Sequence, residues 1–411
     1  MRRGLMALVV LGVVLAASIL LSAAGAATAN AASAQQCGDP YPATRDLANP
    51  LMLPQAPGAN PLTGASFFVD GPAHGAAASA IARLLGRNPA RYPDSYSWAR
   101  FQHDLQHGRL HAKLARNHRL AHKVQLLEKI ATQPEAQRFS MYSEGGGPGG
   151  IFGQVQKIFC HNLTADPGSI PIITTYFLYQ AGYCETREEI LAHRGTFERQ
   201  VNEMVAGIAR RPAVMLLELD AIGSSHCMAG TPALAEWEAN LRYEIDKVAA
   251  LPHVVVYVEG GYADSSGPVY TARVLRAIGV SKIRGFFTND THIDWTSKEI
   301  RWGERVSRLA GGADFIVNTA DNGRGPKLNA HPSRQGIEDL CNPPGRGLGP
   351  RPTTSTGFGH VDAFLWVHPP GNSSGTCRGG TPSGTFWLHR ALVEAANANG
   401  RLGPGHASDS Y

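Results

Sequence analysis

Acidic or amide side chains stand at the ends of five short apolar runs in this sequence. They are Asp70, Asp220, Glu259, Asp290 and Asn318, and each is followed by a loop. If the runs are parallel strands, their carboxyl ends meet on one face, so carboxylates far apart in sequence can line one cleft. Two such carboxyls can protonate a leaving group and activate water. The alternative for each residue is that it caps the helix after its loop.

Seven short runs, rich in β-branched or apolar residues, predict the strands that carry these ends. They cover residues 65–70, 170–179, 213–220, 253–261, 283–290, 313–319 and 362–369. Longer segments with helical periodicity lie between them, such as 188–209 and 233–251. This alternation predicts a parallel sheet covered by helices. We therefore expect an α/β fold that forms a single distorted barrel of about seven parallel strands.

The N-terminus has the pattern of a secretory signal peptide. Arg2 and Arg3 precede an apolar stretch, 5–21, and small residues follow it. Cleavage after Ala29, Ala31 or Ala34 would fit, and we predict a signal peptide over 1–34 and one secreted, extracellular catalytic domain over 35–411. The alternative is an uncleaved N-terminal anchor. No later segment resembles a membrane span, so we expect no membrane attachment after cleavage.

The net charge and the histidine pattern argue against a nucleic-acid partner and against a metal site. The formal net charge is +5, and the leader accounts for two of the positive charges, which is too little for a nucleic-acid footprint. Histidines recur every four residues at His103, His107 and His111, a spacing at which imidazoles can bind metal. Few carboxylates accompany them, so we favour a solvated basic helix. We expect neither a metal nor a cofactor.

All six cysteines lie beyond the leader, and an even count in an exported chain favours disulfides. The spacings do not resemble a zinc cluster. The residues themselves leave the pairing open.

Ordered motifs in the C-terminal third give the strongest resemblance to a known family. They are NTADNGRGP (318–326), DLCNPPGRGLGPRPT (339–353) and VDAFLWVHPPGNSSGTC (361–377), with weaker matches at 60–70, 216–223 and 256–261. Together they resemble glycoside hydrolase family 6, the secreted cellobiohydrolases and β-1,4-endoglucanases. The resemblance implies a barrel with fewer than eight strands, and residues 88–125 look like a basic helical insertion. It also implies disulfides Cys184–Cys227 and Cys341–Cys377, which leaves Cys37 to pair with Cys160.

The resemblance also implies inverting glycoside hydrolysis, in which one carboxyl protonates the leaving oxygen and another activates water. Asp220 keeps the position of the general acid. Tyr183 stands where the family has a supporting aspartate, and Ser374 stands where it has the candidate base. A serine hydroxyl is not a sufficient base on its own. Glu259, at another strand end, is the candidate for a supporting group or a replacement base.

Other family positions imply a substrate cleft, with several departures from the family pattern. His368 replaces a lysine, Asn372 a glutamate, Asn318 an aspartate and Leu340 a sugar-stacking tryptophan, while Tyr262 stands in place of a histidine. The substrate-binding set predicted in this way is Phe68, Asp70, Tyr176, Tyr262, Asn289, Trp295, Leu340, His368 and Asn372. Aromatic rings in it could stack on sugars, and the alternative for each is core packing.

These observations predict a secreted, monomeric glycosidase that hydrolyses β-1,4-glucan or a related β-glycan with an altered catalytic base. The alternative is a catalytically inactive relative that binds a polysaccharide or oligosaccharide in the former cleft. The identity of the sugar and linkage, and the choice between internal and chain-end attack, stay open at this stage.

Overall fold

Seven parallel strands form a curled sheet in the computed structural model, which describes residues 58–71, 75–89, 96–114, 116–143, 149–178, 184–329 and 339–406. The strands are β1 (Gln137–Ser140), β2 (Ile172–Tyr176), β3 (Ala213–Leu217), β4 (Val254–Glu259), β5 (Gly285–Thr288), β6 (Asp314–Asn318) and β7 (Val361–Leu365). Each pairs in parallel with the next, in chain order. The Ala136 N–H donates to the carbonyl of Trp366 at 3.0 Å, which links the two ends of the sheet. The predicted distorted barrel of about seven parallel strands is thus confirmed.

Alternation along each strand divides the core into two layers. In β4, Val255 and Tyr257 belong to the cluster inside the curled sheet, whereas Val254, Val256 and Val258 pack outward against the helices. A side-chain period of two produces this division. Both faces are buried, which explains why the strand sequences are almost continuously apolar.

Helices connect the strands and cover the outer face. They are α1 (Ala76–Leu84), α2 (Tyr96–Gln106), α3 (His118–Ala131), α4 (Gly150–Ala165), α5 (Arg187–Ile208), α6 (Ala221–Ser224), α7 (Pro232–Ala249), α8 (Pro268–Ile278), α9 (Thr296–Leu309) and α10 (Leu388–Ala396). Local sequence sets their starts: Thr186 and Glu189 form a reciprocal capping box at α5. Within the residues described, no helix has the length and apolarity needed to cross a membrane.

The first strand of the sheet is not the one predicted. Residues 65–70 contribute a single parallel bridge, Phe67 to Ile170, and no strand. Gln137–Ser140 forms β1 instead. The sequence QRFS has only one buried residue, Phe139, so its pattern does not signal a strand. Register with β2 determines its structure, which is a tertiary effect.

Two predicted disulfides are present and tie loops together at the carboxyl ends of the strands. Cys184 bonds to Cys227, with the Cα atoms 5.6 Å apart, and Cys341 bonds to Cys377, with the Cα atoms 6.2 Å apart. The third prediction involves Cys37, which lies outside the described residues, as does the predicted signal peptide over 1–34.

A buried ion cluster closes the amino end of the barrel. Arg284 donates to both carboxylate oxygens of Asp362, at 2.7 and 2.9 Å, and pairs with Asp314 at 2.9 Å. The Tyr257 hydroxyl donates to Asp362 at 2.7 Å. The Arg284 side chain is only 2% exposed. One guanidinium therefore joins the starts of β5, β6 and β7.

Part of the segment predicted as an insertion, 88–125, packs into the body of the protein. Leu105 on α2 and Val124 on α3 are fully buried, in one cluster with Trp366 and Ala391. His111 approaches Glu128 at 2.5 Å, whereas the rings of His103 and His107 contact each other at a tilt of 30°, with centroids 4.3 Å apart. These contacts cover the place where the two ends of the sheet meet.

Leu105→Ala is expected to lower the free energy of unfolding by about 3 kcal/mol, because it leaves a cavity in this cluster. Unfolding should remain one cooperative transition in a urea titration followed by circular dichroism, since the segment shares the core of the barrel. His107→Ala, on the exposed face, is the matched control and should change stability by less than about 0.5 kcal/mol. A separate early transition in Leu105→Ala would show that the segment folds independently of the barrel.

Candidate active site

Residues at the carboxyl ends of β3 and β5 adopt left-handed backbone conformations. The φ angles are 57° at Glu218, 58° at Asp220 and 66° at Asn289. Non-glycine residues rarely adopt such angles, and they do so mainly where the surrounding structure enforces them at functional sites. These turns direct strand-end side chains toward the mouth of the barrel.

Asp220 is held by two hydroxyl donors. The Tyr262 hydroxyl and the Thr291 hydroxyl both donate to its Oδ1, the second at 2.5 Å. The two hydroxyl oxygens are 3.0 Å apart. Asp220 is partly exposed, and its Oδ2 has no hydrogen-bond partner among the residues described. One oxygen is therefore fixed, and the other can meet an incoming molecule.

A second carboxyl, Asp290, lies directly beside Asp220. Its Oδ2 accepts the Asp220 N–H at 3.0 Å, and it is 1% exposed. Burial, and then the negative charge of Asp220, raise the pKa of Asp290 to about 7. Asp290 therefore titrates close to neutral pH, in direct contact with the backbone of Asp220.

Glu259 lies under this pair and supports the loops around it. It is fully buried, and its two oxygens accept the N–H groups of Gly223 and Gly261. Burial, then Asp290, raise the pKa of Glu259 well above its usual range. Between the two roles that the sequence left open, this geometry favours the supporting group over the base, because an enclosed carboxyl cannot easily reach a water above the cleft.

Tyr262 is positioned by its own set of contacts. Its ring stacks on His292, with centroids 3.7 Å apart and planes 7° from parallel. His292 Nδ1 approaches Asp264 at 2.8 Å. Burial, and then the charge of Asp220, raise the pKa of Tyr262 well above its usual range, so it stays a donor to Asp220.

Glu218 anchors the loop that leads to Tyr183. It is fully buried, and its carboxyl oxygens accept the N–H groups of Phe177 and Leu178 at 2.8–2.9 Å. Burial raises the pKa of Glu218 to about 7. Tyr183 itself lies outside the described residues, so its predicted place beside Asp220 stays a prediction.

Amide side chains, rather than carboxylates, connect the loops after β5, β6 and β7. Asn318 Nδ2 donates to the Asn289 carbonyl at 2.7 Å, while its Oδ1 accepts the Val367 N–H at 2.9 Å. An ionised aspartate could accept but not donate here. Asn289 in turn uses Nδ2 and Oδ1 on backbone groups of Asp294. Asn289 therefore orders its loop.

The loop over 371–375 has no carboxylate. Ser374 is exposed, its N–H donates to Asn342 Oδ1 at 2.9 Å, and its Oγ lies 3.5 Å from Arg390 Nη1. Asn372 is 7% exposed and its N–H bonds to Pro369. Burial, and then the charges of Arg138 and Arg390, lower the pKa of His368 to about 3, so this imidazole is neutral near pH 7.

The other predicted sugar contacts lie on different elements of the fold. Tyr176 ends β2 and is half-buried at the barrel mouth. Trp295 packs against Gly325, and Leu340 is partly exposed beside Cys341. The remaining two residues of the predicted set are buried.

Phe68 and Asp70 are those two residues. The Phe68 N–H bonds to Ile170, before β2 begins, and Phe68 is 4% exposed. Asp70 lies 3.4 Å from His161 of α4, and both side chains are fully buried. These contacts favour core packing over sugar binding for both.

Sequence reasoning did not identify two side chains at the mouth. Thr291 directly follows Asp290 in the sequence, and this position next to a strand-end carboxylate could have identified it as a site residue. Arg138 belongs to β1, the strand that the apolar pattern did not reveal, and it lies near enough to Asp220 for the two charges to interact.

Asp290→Asn is expected to reduce the loss of stability that accompanies a rise from acidic to neutral pH. The ordinary pKa is 3.8 and the folded value is about 7, so the folded protein binds the extra proton between these values. Stability therefore falls as pH rises through this window. Between pH 5 and pH 8 the wild type should lose about 1 kcal/mol or more beyond what Asp290→Asn loses, measured by urea unfolding. Asp246→Asn, at an exposed site, is the control, and an equal loss in all three proteins would contradict the assignment.

Comparisons with known proteins agree with this architecture. Residues 115–396 match the sequence model of the glycosyl hydrolases family 6. The chain is 28% identical over 273 residues to endoglucanase A of Cellulomonas fimi, covering 66% of this chain and 56% of that enzyme. It is 30% identical over 276 residues to endoglucanase 1 of Streptomyces sp. (strain KSM-9), covering 64% of this chain and 70% of that enzyme. The match to the Cellulomonas enzyme thus spans little more than half of that protein's length.

A solved structure shows the same fold. It is the endoglucanase Cel6 from Mycobacterium tuberculosis, in complex with methyl-cellobiosyl-4-deoxy-4-thio-β-D-cellobioside. The TM-score is 0.64 at 27% sequence identity, and the alignment covers 82% of this chain and 99% of that chain.

Proposed function

Because this chain belongs to the glycosyl hydrolases family 6, we propose that it hydrolyses β-1,4-glucan or a related β-glycan by acid-assisted, inverting attack of water. The observation that carries the proposal is the geometry of Asp220: two hydroxyls fix Oδ1, and the residue is partly exposed just beyond the end of β3. A carboxyl fixed in this way can protonate a glycosidic oxygen. The endoglucanases to which the chain is similar support glucan as the substrate class.

We further propose that the catalytic base is altered, so that hydrolysis is slow. The exposed loop residue Ser374 cannot act as a base unaided, and Glu259 is enclosed by backbone donors. Loss of a positioned base typically costs about a hundredfold to ten-thousandfold in rate. In this proposal Asp220 carries the acid function, Glu259 supports it from below, and water attacks with weak assistance.

The remaining parts of the proposal concern the whole protein. Residues 1–34 act as a signal peptide, and 35–411 form a secreted, monomeric catalytic domain that needs no cofactor. The Arg2–Arg3 start and the apolar stretch that follows support export. Tyr176, Tyr262, Trp295, Leu340, His368 and Asn372 line or support the glycan cleft.

Product stereochemistry tests the proposed reaction. Proton NMR of fresh digests of a soluble β-1,4-linked oligosaccharide should show the α anomer of the new reducing end first, because water attacks the face opposite the leaving group. A β anomer that appears first would contradict an inverting reaction and would point to a covalent intermediate.

Ser374→Asp is expected to raise the rate of hydrolysis by about tenfold or more, because it supplies a carboxylate at the loop position that lacks one. Arg390, 3.5 Å from Ser374 Oγ, would pair with the new charge and hold it in place. Ser374→Asn is the matched control and should leave the rate low. An unchanged rate in Ser374→Asp would show that water is not activated from this loop.

The carboxylate-free loop also favours a second candidate function, a binding protein with a catalytically inactive cleft. In that case Asp220→Asn should leave affinity for cello-oligosaccharides nearly unchanged in isothermal titration. The wild type should then release no reducing sugar. Any hydrolysis that depends on Asp220 excludes this function.

A further inference from the structure

Arg138 projects into the barrel mouth from the first strand. In β1 and the residue before it, Ala136 belongs to the interior cluster and Phe139 to the outer one. Alternation therefore directs the side chain of Arg138 inward. Its register partner on β2 is Thr174, two residues before Tyr176. Arg138 is partly buried, so it forms one wall of the cleft.

The guanidinium of Arg138 reaches the loop that carries Ser374. Its Nη2 donates to the Gly384 carbonyl at 3.3 Å, and the Gly384 N–H donates to the Ser373 carbonyl at 2.8 Å. Gly384 has a φ of 74°, and a Cβ on it would collide with this guanidinium. The positive φ favours glycine here, and a larger residue would also displace the guanidinium.

Among the residues described, Arg138 has no carboxylate within ion-pair distance. The other guanidinium near this loop differs, because Arg390 pairs with Asp321 at 2.9 Å and with Glu394 at 2.6 Å. Asp220 influences Arg138 through its charge, but the two side chains form no ion pair. Within the described part of the chain, Arg138 thus carries a positive charge that no ion pair neutralises, and the more distant charge of Asp220 acts on it.

Such a charge is costly without an anionic partner. Burial lowers the pKa of Arg138, and Tyr176 and Asp220 partly offset that effect. Arginine nevertheless stays charged at neutral pH. Its planar fork matches a carboxylate in a bidentate pair. The neutral His368 and the carboxylate-free loop over 371–375 add no competing acid.

We propose that the cleft takes a β-1,4-linked glycan whose sugars carry carboxylate groups, and that Arg138 selects for it by pairing with one of them. This inference rests on the proposed function, because the glycan occupies the same cleft. The preferred substrate class is therefore an acidic glycan rather than a neutral one. Arg138 acts here as a specificity-determining residue and takes no part in proton transfer.

Isothermal titration with two matched probes tests this inference. The probes are cellotetraose and the β-1,4-linked tetramer of glucuronic acid, and every protein carries Asp220→Asn so that neither probe is consumed. The acidic tetramer should bind about tenfold more tightly, which corresponds to about 1.4 kcal/mol. Adding Arg138→Gln should bring the ratio of the two affinities to about one. Arg138→Lys should retain part of the preference for the acidic tetramer, because lysine keeps the positive charge but lacks the planar guanidinium that pairs with a carboxylate through two hydrogen bonds.

Arg119→Gln is the control for charge elsewhere. Arg119 is exposed on α3, in a segment rich in basic residues. Its substitution should leave the ratio unchanged. If Arg119→Gln lowers the ratio and Arg138→Gln does not, the acidic probe binds the basic outer surface and the inference is overturned.

The outcomes separate this inference from the proposed function. Equal or tighter binding of cellotetraose by the protein with intact Arg138 overturns the acidic preference and leaves glucan hydrolysis standing. Failure to bind either tetramer contradicts both. If Arg138→Gln does not fold, the salt dependence of the protein with intact Arg138 provides the test. Its preference for the acidic tetramer over cellotetraose should fall between 50 mM and 500 mM NaCl, because salt screens an ion pair. A preference that does not change with salt contradicts an ion pair.

Discussion

Asp220→Asn is expected to lower the rate of β-1,4-glucan hydrolysis by about a hundredfold to ten-thousandfold. The amide keeps the shape of the side chain and can still bond to Tyr262 and Thr291, which hold Oδ1 in the wild type. It cannot supply a proton to the leaving oxygen. The fold should therefore persist while the chemistry is lost. Initial rates of reducing-sugar release at matched protein concentrations measure the effect.

Comparing substrates with different leaving groups distinguishes a general acid from a residue that only binds the substrate. Dinitrophenyl β-cellobioside has a leaving group that departs without protonation, so Asp220→Asn should lose far less activity on it than on glucan. Asp246→Asn is the control, because Asp246 is 53% exposed and pairs with Lys282 on the surface. Equal losses by Asp220→Asn on the two substrates would assign Asp220 to binding instead.

Arg284→Met is expected to lower the free energy of unfolding by about 3–5 kcal/mol. Methionine has a similar length but leaves Asp362 buried with the Tyr257 hydroxyl as its remaining described side-chain donor. An uncompensated buried charge accounts for most of the cost. For a domain of this size the melting temperature should fall by roughly 5 °C.

Arg305→Met is the matched control, since Arg305 is exposed on α9. It should change the melting temperature by less than about 1 °C. A similar small change in Arg284→Met would show that the ion cluster does not hold the starts of β5, β6 and β7 together.

Apolar patterning was sufficient to find six of the seven strands, because strands buried on both faces are nearly continuous runs of apolar residues. It failed at β1, where Arg138 and other polar residues surround Phe139. Residues 65–70 have the apolar pattern of a strand but make only one bridge, at Phe67. Pairing with neighbours decided both cases, and pairing cannot be read from a single segment.

The same limit applies to the site. Strand-end position indicated that Asp220, Glu259 and Asp290 could meet, and the structure places Asp290 and Glu259 next to Asp220. Sequence could not show that Glu259 is enclosed by backbone donors, because that depends on loop geometry. It also could not reveal Arg138, since the strand that carries it was not recognised.

The most direct test of the central claim is reducing-sugar release by the wild-type protein from a panel of soluble β-1,4-glucans and mixed-linkage β-glucans, neutral and carboxylated. We predict slow release that is proportional to protein concentration and is absent with Asp220→Asn. No release from any member of the panel, from a protein that melts cooperatively, would contradict the hydrolase proposal and favour a binding protein built on the same barrel.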